Sequence, residues 1–74
     1  MPFVRITIVR ETLADDPSGK KAAISSKVAA AIAEATGLPE REISIVFDEV
    51  EARDWYVGST DVETLRWRSE QEPT

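Results

Sequence analysis

Two breaks constrain the fold of this chain more than any other feature. Asp16-Pro17 opens, and Gly37-Leu38-Pro39 closes, a long alanine-rich run. An aspartate ahead of a proline supplies an N-cap before a first helical residue that has no N–H to satisfy. Gly37 can take the left-handed conformation of a helix end, and Pro39 forbids continuation. A β-branched run flanks the helix on each side. In Phe3–Val9, Val4, Ile6 and Ile8 alternate with Phe3, Arg5, Thr7 and Val9. In Ile43–Val50, Ile43, Ile45 and Phe47 alternate with Ser44, Val46 and Asp48. This is the period of a strand. A helix of about 20 residues is roughly 30 Å long and a strand of about 8 is roughly 25 Å, so the helix returns the chain to the edge where it began. The expected class is therefore α/β: a single β-α-β unit with parallel strands and a right-handed crossover.

The remaining elements follow from local chemistry. Ile24, Val28, Ala31, Ile32 and Ala35 form the helix stripe expected to face the sheet, with Lys20, Lys21, Lys27 and Glu34 mostly off it. Arg10–Ser18 reads as a polar loop. Trp55-Tyr56-Val57-Gly58-Ser59 suits a short C-terminal hairpin. Thr60-Asp61-Val62-Glu63 has the form of a capping box that starts a short helix to about Trp67. Residues 69–74 are expected to fray. The chain, 1–74, is expected to be one domain.

Composition narrows the chemistry. The 74 residues include no cysteine and no histidine, which removes disulfides, thiolate or imidazole metal sites and histidine-assisted nucleophiles. Nine basic residues stand against 14 acidic ones, a formal charge of -5, which argues against a nucleic-acid or anionic-membrane partner. There is no membrane-length apolar run and no signal-peptide pattern, so a cytoplasmic location is expected. A chain this small, with two strands and one helix, leaves one sheet face and both edges uncovered. Association with copies of itself, their sheets pairing and stacking, is the expected remedy.

The candidate reactive group is Pro2. Removal of Met1 would leave a secondary amine on a rigid ring at the start of a strand, with its lone pair aimed in one direction. An apolar pocket and nearby cations would lower its pKa toward neutrality, making it a general base. Arg5, Arg10, Arg41 and Arg53 are the candidates for holding an anion. Asp48 and Glu49 are adjacent on a strand, so they face opposite ways and are expected to be structural.

Pro2 opening a β-α-β unit of this length, the Thr36-Gly37-Leu38-Pro39 turn, the Val46-Phe47-Asp48-Glu49-Val50 strand end and the Asp54-Trp55-Tyr56-Val57-Gly58 segment together resemble the 4-oxalocrotonate tautomerase family. The likeness covers Pro2 to about Ser59. It implies a tautomerase-like fold assembled from dimers into a hexamer, enol-keto isomerase chemistry without a cofactor, and the amino-terminal proline as base. It also implies two arginines and an aromatic residue in the site. The aromatic falls on Trp55. Arg10 lies near one arginine position but out of register, and Ser44 stands at the other, with Arg41 three residues earlier. A long dicarboxylate wants a guanidinium at each end, so Ser44 directs the expectation to a smaller unsaturated 2-oxo or 2-hydroxy acid. Substrate-binding residues are expected to be Arg10, Arg41 and Trp55, with no metal. Alternative readings are haloacrylate hydration or dehalogenation, with Glu11 activating water, β-keto acid decarboxylation, or a non-catalytic assembly subunit.

Overall fold

The computed structural model describes residues 1–71. Strand β1 (Phe3–Val9) and strand β2 (Ser44–Val50) are parallel neighbours, in register from Phe3 opposite Ser44 to Val9 opposite Val50. Helix α1 (Pro17–Thr36) connects them. A hairpin of β3 (Tyr56–Val57) and β4 (Thr60–Asp61) follows, and α2 (Val62–Gln71) comes last. The expected β-α-β unit with a C-terminal hairpin is the observed architecture. No helix among the described residues is long and apolar enough to cross a membrane.

Helix α1 begins and ends where the breaks require. Asp16 caps it, its Oδ1 accepting from the Gly19 amide at 3.1 Å. Gly19 is part of that cap, because a Cβ there would stand 2.0 Å from Asp16 Oδ2. At the other end Gly37 has φ 80° and its amide donates to the Ala33 carbonyl at 2.8 Å. Asp16→Ala is expected to cost about 1 kcal/mol of stability, the usual worth of an N-cap, read as a lowered denaturation midpoint.

The buried stripe differs from the expected one. Ile24, Val28 and Ile32 are half-buried as anticipated, but Ala31 and Ala35 are exposed, and Lys21, Ser25, Ala29 and Ala33 take the inward positions. The contact face is thus rotated by part of a turn. Alanines surround the three large residues on both sides, so their pattern could not tell which flank turns inward.

Arg10–Leu13 is also more than a loop. It forms a 3₁₀ turn that carries Leu13, 1% exposed and the largest fully buried side chain among the described residues. Ala29 and Ala52 are the other buried apolar residues.

Val4, Ile6 and Ile8 turn to the half-buried side of the sheet with Ile45 and Phe47. The opposite face is open. It presents Phe3, 63% exposed, with Thr7, Ser44 and Val46. Arg5 spans this face and makes a forked pair with Asp48, its second contact being Nη2 to Oδ1 at 3.1 Å.

In the hairpin Gly58 alone of the two loop residues has positive φ, 65°, as the first position of a type II′ turn requires. The α2 cap is Asp61 rather than Thr60: its Oδ2 accepts from the Thr64 amide at 3.0 Å and its Oδ1 from the Thr64 hydroxyl at 2.7 Å. These bonds hold the Asp61 carboxyl below its usual range, the hydroxyl contact most of all. The helix passes the expected end at Trp67 and includes Ser69, Glu70 and Gln71. Of the tail expected to fray, residues 72–74 lie outside the described residues.

Candidate active site

The sheet has two ends, and the four expected site residues divide between them. Pro2 precedes β1 and is half-buried. Its carbonyl accepts the Ser44 amide at 3.1 Å, which ties the residue to the first position of β2. Arg41 lies just upstream of that point, in the 3₁₀ turn Glu40–Glu42. It is exposed and makes no ion pair among the described residues. Its side chain lines an open groove of about 490 Å³ with Ser25, Ser26, Glu40, Ile43 and Ile45. Pro2 falls one position back from the Phe3–Ser44 pair, opposite Ile43, so Pro2 and the groove flank the same strand end.

Arg10 and Trp55 are at the other end. Arg10 follows directly on β1, and Trp55 follows the turn Ala52–Asp54 after β2. Trp55 is half-buried and its backbone is fixed twice, its amide donating to the Ala52 carbonyl at 3.3 Å and its carbonyl accepting from the Val62 amide at 2.7 Å. Seven strand residues at 3.3 Å each separate the two ends by about 23 Å. One chain therefore places Pro2 and Arg41 at one end of the sheet and Arg10 and Trp55 at the other.

Carboxylates at the Arg10 end are committed. Glu11 Oε1 accepts from the buried Ala52 amide at 2.9 Å, and this bond is the main reason its carboxyl titrates below the usual range. Glu11 is thus a structural tie between the turn after β1 and the turn after β2, and a poor candidate for the water-activating base that the hydration reading requires. Glu49 accepts from Lys21 Nζ at 2.5 Å, which lowers its pKa. Asp48 is lowered by Arg5 on the opposite face. The pair is structural and faces opposite ways, as strand geometry requires.

Of the four candidate arginines, Arg5 is bound to Asp48, Arg53 to Glu51, and Arg10 to Glu49 and Glu51. Arg41 alone of the four has no carboxylate partner among the described residues. The sequence reading missed Ser25 and Ser26. Their signal is two adjacent serines in the alanine-rich middle of the helix.

The chain is a minimal β-α-β subunit with an open sheet face, free strand edges among its described residues and its expected site residues divided between opposite ends. No curated protein matches the sequence. The model of the tautomerase enzyme family matches residues 2–65, and the chain belongs to that family. Its solved structural neighbours include a 4-oxalocrotonate tautomerase isozyme from Methylibium petroleiphilum, at 25% identity and TM-score 0.73, covering 86% of this chain and 97% of that one. A heterohexamer 4-oxalocrotonate tautomerase from Chloroflexus aurantiacus is 29% identical with TM-score 0.73, covering 89% and 100% of the two chains. DmpI from Helicobacter pylori, at 23% identity, TM-score 0.76 and coverage of 89% and 97%, shares the fold. These relations support tautomerase-type activity and placement beside the 4-oxalocrotonate tautomerases.

Proposed function

We propose that the protein is a cofactor-independent enol-keto tautomerase acting on a small unsaturated 2-oxo or 2-hydroxy acid, with each site shared between two copies of the chain. The observation that carries this reading is the division of the expected site: Pro2 and Arg41 at one end of the sheet, Arg10 and Trp55 at the other. Once Met1 is removed, the Pro2 amine takes the proton from the enol and returns it to the far carbon of the conjugated system. Arg41, free of ion pairs among the described residues, holds the substrate carboxylate. A neighbouring chain supplies Arg10, whose guanidinium stabilises charge developing on the carbonyl oxygen, and Trp55, whose ring walls the amine from water and disfavours its charged form. The heterohexamer formed by the Chloroflexus relative supports a hexameric assembly here. It also favours a second arrangement, in which this chain completes the site of a different tautomerase subunit; the intact mass of the native complex separates the two.

A mixing experiment tests the shared site. Pro2→Ala and Arg10→Ala homo-oligomers are each expected to be nearly inactive. Co-assembled in equal amounts, they regain about a quarter of the wild-type sites, the fraction in which an intact proline meets an intact arginine from another chain. A mixed oligomer, verified by native mass, that stays as inactive as its parents refutes the sharing.

A further inference from the structure

The two site arginines differ in their ion pairing. Arg10 Nη1 donates to Glu51 Oε1 at 3.0 Å, and its Nε lies 3.8 Å from Glu49 Oε1. Each of those carboxylates is shared with a second cation. Glu51 Oε2 accepts from Arg53 Nε at 2.6 Å, and Glu49 Oε2 is held by Lys21. Lys21, Glu49, Arg10, Glu51 and Arg53 therefore form one alternating chain of charges across α1, β2 and the turns that follow both strands. Glu11, Asp54 and Glu63 add negative charge around it: Glu11 senses Arg10 and Arg66, and Arg53 senses Asp54 and Glu63. Five carboxylates thus stand around Arg10 against three other cations, Lys21, Arg53 and Arg66. Arg41, flanked by Glu40 and Glu42 in its turn, makes no ion pair among the described residues.

A guanidinium has five N–H groups, and here two of them face carboxylates, leaving the Nη2 pair and one Nη1 hydrogen. What remains is oriented but has little net charge to offer. A neutral carbonyl oxygen gains a fixed donor there, and an enolate oxygen gains more as charge develops. A substrate carboxylate would instead become the third anion on one guanidinium and meet repulsion from Glu49 and Glu51.

From this the geometry points to Glu51 as a specificity-determining positioning residue: it fixes the Arg10 guanidinium and offsets its charge, so that this end accepts a carbonyl oxygen and rejects a second carboxylate. The inference rests on the placement of Arg10 in the shared site. It assigns the substrate to the monocarboxylates, with Arg41 taking the single carboxylate.

The test compares kcat/KM for a 2-hydroxydienoate with one carboxylate and for the 2-hydroxydienedioate that carries a second at its far end. Glu51→Gln keeps an acceptor oxygen and removes the charge. It is expected to shift the ratio toward the diacid roughly tenfold, mainly through KM, while native mass stays unchanged. Glu51→Ala also loses the hydrogen bond, so its kcat on the monoacid falls, and Glu51→Gln retains that kcat. Arg53→Gln, which leaves Glu51 to Arg10 alone, moves the ratio toward the monoacid and serves if Glu51→Gln does not assemble. A ratio unmoved in the variants that assemble overturns the inference. Arg10→Ala run in parallel separates the two levels. If it lowers activity while the Glu51→Gln ratio is flat, only the role of Glu51 fails. If it changes nothing on either substrate, the placement of Arg10 and the inference fall together.

Discussion

Pro2→Ala is expected to lower kcat by at most the roughly 10²- to 10⁴-fold that a positioned general base contributes. The substitution is small in volume and leaves a primary amine once Met1 is removed, so the loss measures what the pyrrolidine ring adds. That ring has no freedom to turn its nitrogen away. Its carbonyl is bonded to the Ser44 amide at 3.1 Å, and the residue that follows is already paired in the sheet. An alanine amine at the same place has a primary nitrogen without the ring, so its lone pair samples other directions. The measurement is a spectrophotometric assay on a 2-hydroxydienoate, with intact mass confirming that Met1 is gone from both proteins. Protein that retains Met1 has an amide in place of the amine, and is expected to be as inactive as the variant. Activity undiminished in Pro2→Ala would exclude the amine mechanism.

Leu13→Ala is expected to be the most damaging substitution for stability. Leu13 is 1% exposed, and truncating a leucine so enclosed costs about 2–5 kcal/mol through lost transfer energy and the cavity left behind. The chain has little to set against such a loss, since among its described residues only two alanines are otherwise buried apolar residues. Leu13 also anchors the turn that carries Arg10 and Glu11, so the damage reaches the tie between Glu11 and the Ala52 amide. In an associating protein folding depends on protomer concentration. The expected result is a lowered urea midpoint whose deficit grows on dilution; a midpoint within experimental scatter of the wild type would show that the Arg10–Leu13 turn does not hold the fold.

Legibility in the sequence followed the range of the forces concerned. The helix ends were readable because Asp16, Pro17 and Gly37 act on backbone within a few residues of themselves, and the strands because alternation is local. Leu13 was not readable: it stands in the polar run Arg10–Ser18, and only the folded chain, with α1 against the Arg10–Leu13 turn, shows that it is enclosed. The α2 cap passed from Thr60 to Asp61 because both residues can cap, and the extent of β4 decides between them.

The site divided in the same way. Pro2 was put forward from the chemistry of a proline behind the first methionine, and Trp55 through resemblance. The partners of Arg10, Glu49 and Glu51, lie about 40 residues away in sequence and depend on the parallel register. No spacing rule reaches that far. Arg41, unlike Arg10, has no such partners among the described residues, a contrast that requires coordinates.

The bond between the Pro2 carbonyl and the Ser44 amide has a practical corollary for handling the protein. It places the first ring of the chain against the sheet, so any affinity tag, fusion partner or acetyl group added ahead of Pro2 both converts its nitrogen to an amide and must leave through the space that substrate would enter. The opposite terminus is freer: α2 carries exposed residues through Gln71, beyond the end of the family match at Leu65. Labels and immobilisation handles belong at the carboxyl end, and under the proposed amine mechanism a preparation tagged at the amino end is expected to be inactive.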